Sequence, residues 1–282
     1  GSTFSEISGS RLKRVKLPIP KLEEQKEIAN VLFKIDKKIE LNKKINKTLE
    51  EISQAIYKSW FIDFEPWKDK EFIDSELGKI PKGWEIKKLK DIFTIQNGYA
   101  FKSKDYQESG FKVIRTVNIK ENNFLNNEKV VFLPDEFKEE KYDKYRFKKF
   151  DVVMVMVGAS VGKIGIIMDH NLPALQNQNM WRFRAKLEKI NQPFVFSTIK
   201  SLQEKAKKWA TGSARNYLRK GDFGEIKCIV PPEDILSDYN EKVIDIFNKI
   251  NNNLKENQTL KQLRDTLLPK LMSGEIRAPL DD

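Results

Sequence analysis

The chain has 282 residues, 39% of them hydrophobic and 33% charged, and a formal net charge of +11. This composition argues against a membrane protein and a disordered chain, because it supplies apolar material for one or two cores and many charges. One cysteine, Cys228, and one histidine, His170, cannot supply an internal disulfide, a Cys-rich or His-rich metal site, or most Ser-His and Cys-His catalytic sites, so we expect no catalytic residues, cofactor or metal.

The chain begins Gly1-Ser2-Thr3, without an initiator methionine or an apolar leader. Its longest apolar run, residues 152–157, is far shorter than the roughly 20 residues of a membrane-spanning helix. We therefore expect an intracellular, cytoplasmic protein that does not enter a membrane, and a fragment or tagged form of a longer polypeptide.

The first predicted element is a long helix that follows the proline-bearing segment 17–20 and runs for about 40 residues. Apolar residues and two asparagines recur in it at alternating intervals of four and three, which is typical of a coiled-coil seam. The seam residues are Ile28, Leu32, Ile35, Ile39, Asn42, Asn46, Leu49 and Ile56. At 1.5 Å per residue this helix would be roughly 60 Å long, which is longer than an ordinary domain needs.

Residues 66–230 change to strands and turns, which predicts a compact α/β domain. The strand candidates are residues 91–95, 113–119, 130–133, 152–157, 163–168, 180–183 and 226–230. One helix is predicted from Pro193 onward, with an apolar face that we interpret as core. That face consists of Phe196, Ile199, Leu202, Ala206 and Trp209.

The excess of positive charge lies in this central domain. Residues 66–230 carry 32 basic and 21 acidic side chains, whereas residues 1–65 carry 13 and 10 and residues 231–282 carry 7 and 10. This distribution favours a domain that binds a polyanion, with nucleic acid as the first candidate. Since 42 of the 52 basic residues are lysine, an ordinary solvated surface remains the alternative on charge alone.

Several loops of this domain are rich in amide, guanidinium and ammonium groups. Bidentate amides and guanidinium groups read adenine and guanine edges in the major groove, whereas lysines mostly hold phosphates. The candidate DNA-binding residues in these loops are Asn97, Tyr99, Lys102, Arg115, Asn118, Gln176, Asn177, Gln178, Asn179, Lys207, Lys208, Arg215, Asn216 and Tyr217. Each one taken singly is more typical of a turn or a solvated surface, and only their clustering in several loops supports sequence-specific DNA binding.

The segment 158–163 (GASVGK) resembles a phosphate-binding loop of nucleotide-binding proteins, but the resemblance fails. That loop needs four residues between its glycines and Ser or Thr after the lysine, whereas this chain has three and Ile164. We predict a tight turn between strands, with outward-facing backbone amides that could reach DNA phosphates. Ser160 and Lys163 join the candidate DNA-binding residues. The acidic residues do not form a nuclease pattern.

The last predicted element is a second long helix, which repeats the first at a shift of 211 residues. Residues 35–49 match residues 246–260 at eight of fifteen positions, and Lys16 and Pro20 match Lys227 and Pro231. Gly1-Ser2 likewise matches Gly212-Ser213. The second seam contains Tyr239, Val243, Ile246, Ile250, Asn253, Asn257, Leu260 and Leu267.

Polar pairs in an apolar seam specify its register, so the asparagines indicate how the helices pair. An antiparallel pairing matches Asn42 with Asn257 and Asn46 with Asn253. The same register makes the remaining pairs apolar, namely Leu49–Ile250, Ile39–Leu260, Ile56–Val243 and Leu32–Leu267. In a parallel pairing, the central domain would have to span the whole length of the coiled coil to connect the two helices. We therefore favour the antiparallel pairing. Two separate amphipathic helices remain the alternative. The predicted fold class is α+β, an α/β domain flanked by two long helices in an antiparallel coiled coil.

These motifs coincide in one known family. Residues 17–28 (LPIPKLEEQKEI), 35–42 (IDKKIELN) and 58–64 (KSWFIDF) resemble the central conserved region of the specificity subunits of type I restriction-modification enzymes. Residues 263–276 (LRDTLLPKLMSGEI) resemble the distal conserved region of these subunits. Residues 81–89 and 151–165 are similar to the start and middle of their target recognition domains.

The resemblance implies four segments: residues 1–20 as the tail of a recognition domain, 21–65 as a conserved spacer helix, 66–230 as a target recognition domain, and 231–276 as a second spacer helix. The family plan has two recognition domains at opposite ends of an antiparallel spacer, and this chain has one. It is therefore expected to be a fragment of a subunit, or a half-length or rearranged version that needs a second copy as a homodimer.

The resemblance also implies a function without catalysis. Such a subunit binds double-stranded DNA, reads one half of a bipartite site and holds the modification (methyltransferase) subunits, which use S-adenosylmethionine. A restriction (translocase and nuclease) subunit completes the complex. The aromatic residues Trp60, Phe61, Phe64 and Trp67 either dock the modification subunit or pack beneath the recognition domain. The alternative function is a coiled-coil structural or dimerisation protein whose basic domain binds RNA or an acidic protein.

Overall fold

Two long helices flank a mixed α/β region in chain order. The computed structural model describes residues 8–16, 19–211 and 217–278. The chain divides into two compact units, Gly1–Lys43 with Glu256–Asp282 and Lys44–Lys255. The division falls inside both long helices, because residues 44–61 of the first and 233–255 of the second pack with the α/β region. We call these two segments the inner halves of the long helices.

The helices and strands lie as follows. The helices are α1 (Gly9–Leu12), α2 (Leu22–Phe61), α3 (Leu89–Ile92), α4 (Gln192–Ser201), α5 (Gln203–Thr211), α6 (Lys220–Gly224) and α7 (Glu233–Ser273). The strands are β1 (Phe72–Ser75), β2 (Gly78–Pro81), β3 (Glu85–Lys88), β4 (Phe93–Asn97), β5 (Phe111–Ile114), β6 (Val131–Leu133), β7 (Val152–Val155), β8 (Ile164–Ile166), β9 (Ala174–Gln176), β10 (Met180–Ala185) and β11 (Lys227–Val230).

In the unit of Gly1–Lys43 and Glu256–Asp282, α2 and α7 run antiparallel. The Asn42 Nδ2 atom donates to Asn257 Oδ1 at 3.0 Å, and both side chains are buried. Leu32 and Leu267 pack on one apolar cluster. The ion pair between Arg264 and Asp36 is consistent with the same direction. The predicted antiparallel pairing is confirmed here.

In the unit Lys44–Lys255, the second asparagine pair forms as predicted. Asn253 Nδ2 donates to Asn46 Oδ1 at 2.8 Å, and both side chains are buried. Leu49 and Ile250 belong to one hydrophobic core in this unit. The polar pair therefore lies within an apolar seam, where any slip of register would leave buried amides without partners.

The described residues of the α/β region form four small sheets. A four-stranded antiparallel sheet has the order β4-β10-β7-β8, and a three-stranded sheet has the order β6-β5-β9. β5 and β9 pair in parallel. β11 pairs with β3, and β1 pairs with β2 in a hairpin. Every residue of β7 and β8 is buried, which explains their continuous apolar sequence.

The main core joins this sheet to the inner halves of the long helices. Phe194 of α4, Phe61 of α2 and Tyr239 of α7 have ring centroids 4.9 to 5.9 Å apart. The Tyr57 hydroxyl donates to Thr198 Oγ1 on α4 at 3.2 Å. The long helices therefore cover α4 in this unit.

The aromatic residues at the end of α2 also pack inward. Phe61 is buried, and Trp60 and Trp67 have ring centroids 5.3 Å apart. Trp67 and Phe64 lie 5.1 and 5.4 Å from the ring of Trp84. Of the two alternatives for these residues, packing beneath the α/β region is the one observed.

Three predicted elements differ from the structure. Residues 91 and 92 belong to α3, so the first strand begins only at Phe93. β5 ends at Ile114, because the Asn118 side chain accepts from the Arg115 backbone N–H and closes a turn. The single helix predicted from Pro193 is two helices, and Trp209 is 42% exposed rather than core. The strands β1, β2, β3 and β9 were not predicted.

Candidate nucleic-acid interface

Three loops converge at one edge of the four-stranded sheet. The end of β4 lies beside the start of β10, since Asn97 pairs with Trp181. The end of β7 lies on the other side of the start of β10, since Val155 pairs with Met180. β8 begins beside the same end of β7, with Ile164 opposite Met154. The loops that leave these ends therefore lie together, although up to 80 residues separate them in the chain.

The three-stranded sheet contributes to the same edge. β5 and β9 are parallel, and Ile114 pairs with Gln176. The backbone N–H of Asn177 donates to the Ile114 carbonyl at 3.2 Å. Arg115 and Asn177 thus leave their strands side by side. We call residues 97–102, 115, 156–163 and 177–179 the loop edge.

A close backbone approach holds two of these loops together. Tyr99 N–H donates to the Gln176 carbonyl at 3.0 Å. A Cβ atom on Gly98 would lie only 1.9 Å from the carbonyl oxygen of Asn177. Glycine is required at residue 98 because no side chain fits between the two backbones.

The turn of residues 156–163 lies between strands, as predicted. Gly158 and Gly162 have φ values of 87° and 79°, in the left-handed region that favours glycine. The N–H groups of Val161, Gly162 and Lys163 donate to carbonyls of Gly158, Val155 and Ser160. The expectation of outward-facing amides is therefore wrong for these three residues, because internal bonds already use them. Ser160 is exposed.

Helix α5 lies against this turn and adds basic groups to it. Gln203 Nε2 donates to the Gly162 carbonyl at 3.0 Å. Lys163 Nζ lies 2.7 Å from Glu121 Oε1, and Lys207 Nζ lies 2.8 Å from Glu204 Oε1. Hydrogen bonds from these lysines hold the pKa of each carboxyl below its ordinary value. Both acidic partners are largely exposed, so a phosphate group could replace them at the lysines.

Seven of the candidate DNA-binding residues on or beside the loop edge have exposed side chains. They are Asn97, Tyr99, Lys102, Ser160, Gln178, Asn179 and Lys208. Tyr217 is half-buried and its hydroxyl accepts from Arg219 Nε at 2.9 Å. The backbone of Tyr217 forms an antiparallel β-bridge with Val157 of the turn. The candidates Arg215 and Asn216 lie outside the described residues.

Three candidates are corrected by their burial. Gln176 is fully buried and its amide donates to the carbonyls of Gln96 and Met180, both at 2.9 Å. Asn118 is also fully buried and caps the turn that follows β5. Asn177 is 8% exposed and contacts the Tyr106 hydroxyl. The side chains of Gln176 and Asn118 shape the loops and cannot reach DNA. The side chain of Asn177 mainly shapes its loop.

Arg115 is held at the edge by its own contacts. Its Nη2 atom donates to the Lys129 carbonyl at 2.7 Å, and its guanidinium lies 5.8 Å from the centre of the Tyr106 ring. These contacts restrain the half-buried side chain. A restrained guanidinium loses less conformational entropy when it binds a base or a phosphate.

Sequence reasoning missed a group beside Tyr99. The rings of Tyr142 and Tyr145 lie 5.4 and 5.2 Å from the Tyr99 ring. They belong to the run of residues 141–146 (KYDKYR), in which basic and aromatic residues alternate. That alternation was the available signal, since it is typical of nucleic-acid contacts.

The described part of the chain contains no group of three or more His, Cys, Asp or Glu residues that could hold a metal ion. Among its helices, none is both long and apolar enough to span a membrane.

Comparison with known families assigns the chain. The model of the type I restriction modification DNA specificity domain matches residues 1–51 and 81–264. The chain belongs to this family. The match covers residues 22–51 of α2 and the whole loop edge. It does not support the alternative of a structural coiled-coil protein that binds RNA or an acidic protein.

Two curated relatives in the family come from Methanocaldococcus jannaschii. The specificity subunit of the type I restriction enzyme MjaIX is 33% identical over 98% of this chain and 64% of the relative. The MjaVIII specificity subunit is 30% identical over 98% of this chain and 66% of the relative. The chain thus spans about two thirds of the length of these relatives.

A solved structure shares the fold. The S subunit of a type I restriction-modification system from M. genitalium aligns with a TM-score of 0.61 and 21% identity. The alignment covers 96% of this chain and 67% of the other. It supports the arrangement of long helices and α/β region described above.

Proposed function

We propose that this specificity-family chain is the DNA-recognition subunit of a type I restriction-modification complex. In this role it carries no catalysis, reads one half of a bipartite site and holds the methyltransferase subunits. The chain contains one α/β region with a loop edge, which corresponds to one reading surface for one half-site.

The observation that carries the proposal is the convergence at the loop edge. Amide side chains of Gln178, Asn179 and Asn97 are exposed there, and the exposed or half-buried lysines Lys102 and Lys163 lie in the adjoining loops. Amides provide the paired donors and acceptors that read a base edge, and lysines neutralise phosphates. Both kinds of contact are needed at one surface for sequence-specific binding.

Replacement of Gln178 tests base reading. We expect Gln178→Ala to weaken binding to the selected site by about 1 to 3 kcal/mol and to leave nonspecific binding nearly unchanged, because a base contact discriminates between sequences. Binding is measured by competition between the target duplex and scrambled duplexes. Arg215→Ala carries the same expectation.

The matched control is Asn252→Ala, which removes an exposed amide from α7. It should change neither affinity. Equal losses for Gln178→Ala on all duplexes would contradict a base-reading role and would indicate a phosphate contact instead.

The proposed partners are the modification and restriction subunits of the same system. Co-expression with a type I modification subunit should yield a complex that survives size-exclusion chromatography and methylates adenine in the selected duplex. Its mass, compared with that of the chain alone, distinguishes one copy of this chain from a homodimer. Failure to form any complex with the modification subunit would contradict the scaffolding role.

A further inference from the structure

A cluster of aromatic and basic residues extends the loop edge. The 3-10 helix Glu140–Tyr145 precedes Arg146, which bridges to Leu175 of β9 in antiparallel fashion. Phe147 N–H donates to the Ala174 carbonyl at 2.9 Å. Because the segment runs opposite to β9, residues 140–145 lie beyond the end of β9 from which residues 177–179 continue.

Each of the two tyrosine rings in this segment has aromatic and basic neighbours against it. Tyr142 packs against Phe137, with centroids 4.8 Å apart and an angle of 32°, and Lys141 Nζ lies 5.1 Å above its ring. Lys144 Nζ lies 5.1 Å above the Tyr145 ring. Both rings also contact Tyr99. These neighbours crowd the ring faces on which a base would stack, which favours the hydroxyl edges and the ammonium groups as the contacts for DNA.

Hydrogen bonds from two arginine side chains hold the backbone of this segment in position. Arg182, which is 4% exposed, donates through Nη2 to the Lys144 carbonyl at 2.9 Å and through Nη1 to the Arg146 carbonyl at 2.8 Å. Arg184 also donates to the Arg146 carbonyl and binds Asp151 with two hydrogen bonds of 2.5 and 2.6 Å. Buried charge-assisted bonds thus anchor the backbone that carries Lys144.

We infer that residues 141–145 form a phosphate-holding ledge for the DNA strand that flanks the bases read by the loop edge. The exposed ammonium groups of Lys141 and Lys144 and the hydroxyls of Tyr142 and Tyr145 bind backbone phosphates, which carry no sequence information. This inference rests on the proposed function. The ledge increases the affinity for DNA of any sequence and does not discriminate between sequences. Glu139 holds Lys141 at 2.7 Å in the free protein, and a phosphate replaces that exposed partner.

The test is the salt dependence of DNA binding by the double variant Lys141→Gln/Lys144→Gln. The probes are a duplex selected from a randomised library by the wild-type chain and a scrambled duplex. We expect about a tenfold or larger loss of affinity on both duplexes, and a slope of log K against log salt that falls by about 1.8, since each released phosphate contact contributes about 0.9. The ratio of the two affinities should stay unchanged. Tyr142→Phe, which keeps the ring packing, should weaken both duplexes by a smaller equal factor.

The control is Lys79→Gln/Lys82→Gln, which removes two exposed lysines from β2 and the turn after it. It matches the change of charge, so the long-range effect of net charge is subtracted. Thermal unfolding should show that all variants remain folded, since each substitution is at a surface group or preserves packing.

Two results would overturn the ledge. One is a slope and affinity for the double variant equal to those of the control; the other is a loss confined to the selected duplex, which would make the segment a base reader. If the wild-type chain binds all duplexes equally, the proposed function fails while the slope still tests the ledge. If the wild-type chain binds no DNA, both fail.

Discussion

Cys228 offers a single-site probe of this molecule, because it is the one cysteine in the sequence. It is half-buried on β11, and its thiol lies 3.6 Å from the Lys87 carbonyl on β3. Burial raises the pKa of the Cys228 thiol from 9.0 to about 12. The reactive thiolate is therefore scarce at pH 8 and becomes abundant only as the pH rises toward 12.

We expect alkylation of Cys228 by iodoacetamide at pH 8 to be at least about tenfold slower in the folded chain than in the unfolded chain, because burial raises the pKa of the thiol and a thiolate of higher pKa regains only part of the lost rate. Mass spectrometry of timed samples with and without urea measures both rates. Rapid labelling of the native chain would contradict this and would mean that β11 separates readily from β3.

Single residues also show why exposure could not be assigned from the sequence. Gln176 and Gln178 are two positions apart and have the same side chain. One amide is buried against Gln96 and Met180, and the other is exposed. The difference arises because β9 ends at Gln176, in contact with strands from elsewhere in the chain.

The pairing of the long helices can be tested with a double-mutant cycle at Asn42 and Asn257. Either single substitution by leucine should destabilise the chain by about 1 to 3 kcal/mol, because it leaves a buried amide without its partner. The double variant Asn42→Leu/Asn257→Leu should stay folded with little net loss, while its register loosens. Urea unfolding gives the free energies, and hydrogen exchange along α2 reports the register.

The matching cycle at Asn46 and Asn253 serves as a replicate, since that buried pair is also joined by an amide hydrogen bond, of 2.8 Å with Asn253 as the donor. A large loss of stability in the double variant, comparable to the sum of the single losses, would contradict a specific amide pair in the seam.

The loop edge depends on the close approach at Gly98. In Gly98→Ala the new Cβ would clash with the Asn177 carbonyl, 1.9 Å away, so the segment of residues 177–179 must move. We expect specific DNA binding to fall by at least tenfold, on the order of 1.4 kcal/mol, because Gln178 and Asn179 lose their positions. Competition binding with selected and scrambled duplexes measures the effect.

Gly221→Ala is the matched control for Gly98→Ala. Nothing lies within 4 Å of a Cβ atom at residue 221, which is in α6. This variant should bind as the wild type does. Normal selectivity in Gly98→Ala would show that the junction of the two loops does not position the groups that read DNA.

The distribution of charge is a property of the whole molecule. The surplus of positive charge lies in residues 66–230, which include the loop edge. Because the described residues form one loop edge, selection of duplexes from a randomised library by a single copy of the chain should yield one contiguous block of conserved base pairs. Sequencing of the bound pool, together with the mass of the chain in solution, tests this expectation. Two inverted blocks separated by a fixed spacer would contradict it and would indicate two copies acting together.

The repeat also shows that similar segments need not have similar surroundings. At a shift of 211 residues α1 aligns with α6, and Leu12, Val15 and Ile19 align with Phe223, Ile226 and Val230. The first three are 59%, 52% and 77% exposed, whereas their counterparts are 0%, 5% and 3% exposed. The second copy packs against the α/β region, and the first has no equivalent cover among the described residues.

The long helices and their antiparallel pairing were predictable from the sequence. A seam with a 4-3 spacing requires a partner stripe, and two asparagines in each seam permit few registers that leave no buried amide unpaired. Most strands of the α/β region were also predicted, because buried strands such as β7 consist of continuous apolar residues.

The loop edge was predicted only as a set of polar residues. The pairing of β4, β10, β7 and β8 determines which loops meet, and these pairings join residues far apart in the chain. Burial likewise depends on neighbours contributed by other elements, which removes Gln176 and Asn118 from the surface and adds Tyr142 and Tyr145 beside Tyr99. Local patterns specify helices and strands, because those depend on near neighbours; a binding surface depends on distant ones.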